Sequence, residues 1–180
     1  AFESTVILLL TFTPVLMNSQ FQLKIPTEFE TATIIFIYMS LFLGEVRDYY
    51  TRFWWWDIVL HAGSAFLIGI TGFLLVYVLN ASKRIAMHLE PKFVALFAFM
   101  FAMGIGALWE IFEFIMDSLF SMNMQKSGLT DTMWDLIVDC VGALVISLMG
   151  YYHLKTIEID SFLERWIHKF VKHNPRIFNK

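Results

Sequence analysis

The sequence has little charge and almost no cysteine, and both shortages narrow the class of protein. Charged residues make up 16% of the 180 residues, whereas about 25% is usual for soluble domains. The single cysteine, Cys140, excludes a disulfide framework and a Cys-x-x-Cys metal site. The net charge of −3 gives no basic surface of the kind that binds nucleic acid, so no nucleic-acid partner is expected.

Several motifs that identify common enzyme classes are also missing. The sequence contains no HExxH, no GxSxG, no GxxxxGKS/T and no GxGxxG, which argues against the usual metalloprotease, serine-hydrolase, P-loop and dinucleotide-binding sites. It shows no internal repeat, low-complexity tract or linker. We therefore expect one domain at most from a chain of this length.

Apolar residues are abundant instead, and they come in long blocks. Hydrophobic residues make up 58% of the chain, and about 20 mainly apolar residues suffice to cross a bilayer as a helix. The first block lacks the charged leader of a cleavable signal peptide, so it too is predicted to be a span. We predict an all-α polytopic transmembrane bundle over residues 1–155, with about five spans at residues 4–18, 30–46, 57–80, 93–117 and 132–153.

Residues 156–180 are predicted to form an amphipathic cytoplasmic tail. Apolar side chains recur on one face of a helix there and charges occupy the other face, which is typical of a helix that lies on a membrane surface. A helix that docks on protein has the same pattern and stays an alternative. The apolar face consists of Ile159, Phe162, Leu163, Trp166, Ile167 and Phe170.

The distribution of Lys and Arg predicts the orientation in the membrane. Most of the 13 Lys and Arg residues fall in one set of loops and in the tail, and loops rich in these residues face the cytoplasm. This rule places the C-terminus in the cytoplasm and, with five spans, the N-terminus outside. The external loops then contain Arg47, Arg52 and Lys126, and residues 49–56, YYTRFWWW, form an aromatic belt at the external interface.

The ionisable residues of the spans gather at the external end and share helix faces. Residues three, four, seven or eight positions apart lie on one face of a helix, and the acids of the third, fourth and fifth spans have this spacing. We therefore predict an externally facing intramembrane pocket, formed by Asp57 and His61 of the third span, Glu110, Glu113 and Asp117 of the fourth, and Asp131, Asp135 and Asp139 of the fifth.

Carboxylates at this depth need a partner. An ionised Asp at the centre of a membrane helix costs about 2.5–3.5 kcal/mol, while each Leu, Ile, Phe or Val contributes only about 0.3–0.6 kcal/mol. The deeper acids therefore need protons, cationic side chains or a bound cation. Three interpretations stay open: a divalent metal site, a proton or cation pathway, and a structural polar network. Carboxylates with one imidazole suit Mg²⁺, Mn²⁺, Ca²⁺, Fe²⁺ or Zn²⁺.

The metal interpretation gives each polar residue a predicted role. Small residues on the same helix faces favour close helix packing around the pocket; they are Ala65, Gly69, Gly72, Ala102, Gly106, Ala143 and Gly150. Glu113 is predicted as the catalytic base or a further ligand. The predicted metal ligands are Asp57, His61, Glu110, Asp135 and Asp139. The predicted rim or substrate-contacting residues are Arg47, Arg52, Asp117, Gln125, Lys126 and Asp131.

Three segments resemble the YjdF-like family of small bacterial inner-membrane proteins. They are WWWDIVLHAGSAFLIGITGFLLV, FAMGIGALWEIFEFIMD and MQKSGLTDTMWDLIVDCVGAL, and the resemblance covers about residues 41–152. It implies a multi-pass protein of the bacterial inner membrane and implies no particular activity. The Asp-x-x-x-Asp pattern of DTMWDLIVD is also similar to motifs of intramembrane prenyltransferases and CDP-alcohol phosphotransferases, which hold Mg²⁺ against a pyrophosphate. The Asp-Gly and Ala-Arg elements of the phosphotransferases are absent here.

Three functional hypotheses follow. The leading one is a membrane-embedded, metal-dependent hydrolase or transferase that acts on a lipid or lipid-linked substrate from the external side. The second is a proton or cation transporter that uses the same acids. The third is a non-catalytic subunit of a larger membrane complex. Membrane lipids are expected partners in each case, and a homo-oligomer or a membrane complex is compatible with so apolar a chain.

Overall fold

The computed structural model of the chain describes residues 24–81, 89–155 and 162–175, and these form helices without any strand. The predicted all-α fold is therefore confirmed. The elements are α1 (Thr27–Ile37), a π-helical continuation π1 (Tyr38–Val46), α2 (Tyr49–Arg52), α3 (Trp56–Ala81), α4 (Pro91–Phe120), α5 (Leu129–Lys155) and α6 (Phe162–His173).

Four helical stretches among the described residues are long and apolar enough to cross a membrane. They coincide with the second to fifth predicted spans, whereas the predicted first span at residues 4–18 lies outside the described parts of the chain. Helix α4 has 30 residues and is about 45 Å long, so it exceeds the roughly 30 Å of a bilayer's hydrocarbon core. The stretches are Thr27–Val46, Trp56–Val76, Pro91–Phe120 and Leu129–Lys155.

Helices α3, α4 and α5 pack on one another and form the core of the bundle. Helix α1 with π1 lies at the periphery, because Gly44 is the one buried residue along both segments. We call the end where α3 and α5 begin and α4 ends the acid end, and the opposite end the tail end. The apolar core lies toward the tail end and consists of Ile70, Phe73, Val76, Val94, Ala98 and Ile146.

Small residues bring the three core helices close together, as their spacing predicts. A Cβ atom added to Gly69 would overlap the side chain of Ile146, and one added to Gly150 would overlap the ring of Phe73. Both contacts join α3 to α5, so larger residues at these positions would push the two helices apart. Ala65, Ala102 and Ala143 are buried in the same interfaces.

The outer surface of the bundle is apolar. Large hydrophobic side chains such as Leu96, Met100, Leu108 and Phe114 are more than half exposed along α4. Soluble proteins rarely expose contiguous apolar surface of this extent. The exposed face of α4 therefore fits lipid chains rather than water.

The predicted amphipathic helix is confirmed as α6, and the structure shows that its apolar side contacts protein. The Trp166 ring packs edge-on against Phe29 with 5.7 Å between the centroids, and Phe170 is buried. Lys169 forms an ion pair with Glu28 of α1. Helix α6 thus docks on the start of α1. Ile159 and the side chains of Phe162, Leu163 and Ile167 lie outside the described parts of the chain.

Asn174 joins the end of α6 to the residues before α1, and its loss should loosen α6. Its Oδ1 accepts a hydrogen bond from the Lys24 N–H at 2.8 Å, and its Nδ2 donates to the carbonyls of Lys24 at 2.8 Å and Phe170 at 2.7 Å. Each such bond contributes about 0.5–1.5 kcal/mol. In Asn174→Ala we expect hydrogen exchange of the α6 amides to become at least about tenfold faster by mass spectrometry.

The matched control is Lys172→Ala, since Lys172 is exposed on the same helix. It should leave the exchange of α6 unchanged. Equal exchange in Asn174→Ala and the parent protein would contradict the anchoring role of Asn174.

Candidate metal centre

Two of the acids at the acid end sit where the helices themselves favour negative charge. Asp57 lies in the first turn of α3 and Asp131 lies in the first turn of α5. The N-terminus of a helix carries a partial positive charge, which stabilises a nearby carboxylate. Trp56 precedes Asp57, is buried, and packs edge-on against Tyr49 with 4.9 Å between centroids. The start of α3 is thereby fixed with Asp57 in place.

His61 of α3 lies at the centre of the polar cluster, and its two ring nitrogens have different surroundings. Its Nε2 lies 3.9 Å from one carboxylate oxygen of each of Asp57, Glu110 and Asp135. Its Nδ1 lies 3.3 Å from Oδ1 of Asp139. One imidazole therefore faces carboxylates from all three core helices. The structure brings together the five residues predicted as metal ligands.

The cluster is buried except on the side of Asp57. His61 is 8% exposed, Glu110 and Asp135 are 4% exposed, and Asp139 is 2% exposed. The Asp57 side chain is 28% exposed. Asp57, at the acid end, is therefore the most exposed member of the cluster, while the externally facing pocket stays a prediction.

Buried carboxylate oxygens in this cluster lack a hydrogen-bond partner. They are both oxygens of Glu110 and Oδ2 of Asp139. A buried ionised group without a partner is strongly unfavourable, and one imidazolium neutralises at most one of the four carboxylates around it. The arrangement therefore requires further positive charge, supplied by protons or by a cation.

The spacing of the donor atoms fits a metal ion. Ligand atoms of Asp57, His61 and Asp135 all lie within 4.8 Å of one another. These separations are compatible with N and O ligands that share one ion, at roughly 2.0–2.2 Å for Zn²⁺ or 2.3–2.6 Å for Ca²⁺.

The polar cluster does not continue toward the tail end among the described residues. The next buried positions in that direction are Gly106, Ala65, Ala102 and Ala143, followed by the apolar core. Ser147 is buried there, and its hydroxyl donates to the carbonyl of Leu144 within its own helix. In the described part of the bundle, the polar cluster is therefore bounded on its tail-end side by small and apolar residues.

Glu113 lies beside the cluster rather than in it. It follows Glu110 by three residues on α4, toward the acid end, and it accepts a hydrogen bond of 2.8 Å from the indole nitrogen of Trp109. No contact within 4 Å joins it to His61 in the described part of the chain. The carboxylate of Glu113 is thus oriented by Trp109 at the edge of the pocket.

Two predicted rim acids hold the loop between α4 and α5. Asp117 accepts hydrogen bonds from the backbone N–H groups of Met124 at 2.7 Å and Gln125 at 2.9 Å. Asp131 accepts one from the N–H of Lys126 at 3.0 Å. Both carboxylates therefore hold the connection at residues 121–128 in place. This structural role could not be predicted from their position on the same helix faces as the proposed ligands.

The other predicted rim residues have separate positions. Gln125 donates from Nε2 to Oγ1 of Thr132 at 2.6 Å, and Lys126 Nζ lies 4.0 Å from the centroid of the Tyr50 ring, a cation–π distance. Burial raises the pKa of the Tyr50 phenol, so this ring stays neutral beneath the ammonium. Arg47 and Arg52 are exposed, and no ion pair joins either to the cluster in the described segments.

Sequence reasoning missed the roles of three residues around the pocket. Tyr50 was assigned to the aromatic belt. The hydrogen bond from Trp109 to Glu113 has no signal in the sequence except that Trp109 precedes Glu113 by one helical turn. Gly106 was predicted only as a packing residue, yet a Cβ atom there would overlap the carboxylate of Asp139. The sequence signal that could have indicated this role of Gly106 is its position one turn before Glu110.

Comparison with known proteins identifies a family. Residues 1–156 match a family described as "Predicted membrane protein (DUF2238)". An "Uncharacterized protein" of Thermotoga maritima is 26% identical over 140 residues, which cover 78% of this chain and 70% of that protein. No solved structure matches the chain. The match agrees with the predicted membrane-protein family, while the YjdF-like name itself stays a prediction.

Replacing Asp117 should loosen the loop and leave the cluster intact. In Asp117→Asn, the new amide can accept from one of the two N–H groups but turns a donor toward the other. We expect the amides of Met124 and Gln125 to exchange about tenfold faster. The control Asp48→Asn removes the same charge from an exposed residue whose φ of 62° suits Asn, and should change neither amide. Loss of protein-bound metal in Asp117→Asn would contradict its exclusion from the cluster.

Proposed function

The chain belongs to the DUF2238 family of predicted membrane proteins, and we propose that it binds a divalent metal ion at the His61 cluster. With this ion bound, the protein acts as a hydrolase or transferase on lipid-linked phosphates. The ligands are Asp57, His61, Glu110 and Asp135. Carboxylates and one imidazole suit the divalent ions that catalyse phosphoryl transfer.

One observation carries this proposal. His61 Nε2 lies at the same 3.9 Å from carboxylate oxygens of Asp57, Glu110 and Asp135, which come from three different helices. A hydrogen-bonded network would give shorter and unequal distances, because each N–H···O contact prefers about 2.9 Å. Three carboxylate oxygens at an equal, longer distance from one imidazole nitrogen are compatible with donors that share a cation.

The same geometry disfavours transport. A proton or ion pathway needs polar groups on both sides of the cluster, and the described residues between the cluster and the tail end are apolar or small. A cluster that is exposed on one side suits binding and catalysis better than passage.

We place the acid end on the external side of the bacterial inner membrane. Helix α6 contributes Arg165, Lys169 and Lys172 at the tail end, and Lys and Arg mark the cytoplasmic side. The C-terminus is then cytoplasmic and the N-terminus external. Asp57 opens the pocket near the level of the external lipid headgroups, where a lipid phosphate would arrive.

The chemistry divides among few residues. A divalent ion in the cluster supplies a Lewis acid for a phosphoryl oxygen. Glu113, held by Trp109 at the pocket edge, takes the proton of the attacking water or hydroxyl. Lys126, Arg47 and Arg52 provide positive charge at the acid end for an anionic headgroup.

The metal assignment is tested by elemental analysis of protein purified without chelator. We expect near-stoichiometric metal in the parent protein and at least about a hundredfold loss of affinity in Asp135→Asn, because the variant removes a charged ligand that a neutral amide replaces poorly. Asp131→Asn, with the same change one turn earlier on α5, should retain the metal. Stoichiometric metal in Asp135→Asn would reject this ligand set.

The role of Glu113 is tested by separating binding from turnover. Glu113→Gln should keep the metal and lower the rate of lipid-phosphate hydrolysis or transfer by about 10²–10⁴-fold, the usual contribution of a general base. Trp109→Phe, which removes only the orienting hydrogen bond, should lower the rate less. Loss of metal in Glu113→Gln would make Glu113 a ligand. Full metal without turnover in the parent protein, together with a fixed co-purifying partner, would favour a non-catalytic subunit.

A further inference from the structure

Asp139 differs from the other acids of the cluster in the ring nitrogen that it contacts. Asp57, Glu110 and Asp135 face Nε2 of His61, whereas Asp139 Oδ1 lies 3.3 Å from Nδ1. These two nitrogens point to different sides of the imidazole ring. Asp139 therefore lies behind the ring, and the other three acids lie in front of it.

The contact with Asp139 sets the protonation pattern of the ring. An ionised carboxylate can only accept hydrogen bonds, so the tautomer that satisfies the 3.3 Å contact with an ionised Asp139 carries its proton on Nδ1. In a neutral imidazole the lone pair is then on Nε2, and it points toward three carboxylate oxygens. That direction is repulsive unless a cation lies between them.

From these contacts, and resting on the proposed metal centre, we infer that Asp139 is a positioning residue that holds the His61 ring with Nε2 facing the ion. The centre therefore selects a first-row transition-metal ion over Mg²⁺ or Ca²⁺. Asp139 was predicted from the sequence as a ligand. The contacts instead make it a hydrogen-bond partner of His61, in a carboxylate–histidine–metal arrangement that fixes the orientation of the ring and raises the basicity of the ligand nitrogen.

Ligand chemistry explains the selection. Mg²⁺ and Ca²⁺ take oxygen ligands, and Mg²⁺ usually keeps several waters. A buried imidazole nitrogen held in front of three carboxylates suits Mn²⁺, Fe²⁺ or Zn²⁺ instead. Soft thiolate ligands that favour Cu⁺ are absent from this cluster, since its members are Asp, Glu and His.

Gly106 of α4 supports the same arrangement. A Cβ atom at Gly106 would overlap Asp139 Oδ2, while one at Gly104, half a turn away on the same helix, would meet nothing within 4 Å. The absence of a side chain at Gly106 therefore leaves the space that the Asp139 carboxylate occupies behind His61. Alanine at these two positions forms a matched pair that disturbs or spares Asp139 without altering any ionisable group.

The selection is tested by competition on the full-length protein in detergent. Protein loaded with Mn²⁺ should retain it in about a 1,000-fold excess of Mg²⁺ or Ca²⁺ at equilibrium, because only the transition-metal ion gains from the imidazole nitrogen. Displacement of Mn²⁺ by a tenfold or smaller excess of Mg²⁺ would overturn the selection.

The positioning role is tested by variants and by histidine NMR. Asp139→Leu and Gly106→Ala should weaken Mn²⁺ binding by about 10–100-fold, the usual effect of removing such a partner, and Gly104→Ala should not. In Zn²⁺-loaded, ¹⁵N-histidine-labelled protein, the Nδ1 proton of His61 should exchange slowly with water in the parent and rapidly in Asp139→Leu, because the variant removes the acceptor that protects it. Asp139→Asn should restore part of the affinity, since its amide oxygen still accepts from Nδ1.

The outcomes separate this inference from the proposed function. Unchanged affinity in both Asp139→Leu and Gly106→Ala, or a loss in Asp139→Asn as complete as in Asp135→Asn, would overturn the positioning role and leave the metal centre standing. Parent protein that binds no divalent ion would overturn both. If Asp139→Leu fails to fold, Gly106→Ala and Asp139→Asn decide the question.

Discussion

Three buried carboxylates and the partly exposed Asp57, gathered around one imidazole, constrain the whole bundle. His61 contacts acids of its own helix and of α4 and α5, so a shift of any of these helices along its axis would leave a charge without compensation in apolar surroundings. Breaking a buried ion pair in this way costs about 3–5 kcal/mol, a large part of the 5–15 kcal/mol that stabilises a typical domain. Neutralisation of this cluster therefore fixes the register of the helices as well as the chemistry of the pocket.

The two halves of the bundle contribute differently to keeping the helices in this register. The half toward the tail end is apolar, and Gly69 against Ile146 and Gly150 against Phe73 join α3 to α5 at contact distance. Such packing resists sliding because each large side chain fills the space above a glycine. The half toward the acid end contains the polar groups, which would repel one another in a looser structure. The apolar half supplies the rigidity that the polar half lacks.

Much of this organisation could be predicted from the sequence, and the remainder depends on contacts between helices. The length of the apolar blocks predicts the spans, and the helical period places Asp57, His61, Glu110, Asp135 and Asp139 on facing sides. The period does not specify how each helix is rotated, so the different partners of the two His61 nitrogens could not be predicted. Asp117 and Asp131 share the ligand faces, yet backbone N–H groups of the following loop bind them instead. The hydrophobic pattern of residues 38–46 also does not distinguish the π-helix π1 from an α-helix.

The hydrogen bonds between Asn174 and Lys24 connect residues 150 positions apart, and this separation has a consequence for biogenesis. A ribosome releases the chain from its N-terminus, so α1 enters the bilayer long before α6 exists to hold it. Helix α1 therefore waits at the periphery until translation is nearly complete. His61 likewise enters before Glu110, Asp135 and Asp139 are made. His61 lies in the second turn of α3, so the polar surroundings of its ring are completed only when the later helices arrive.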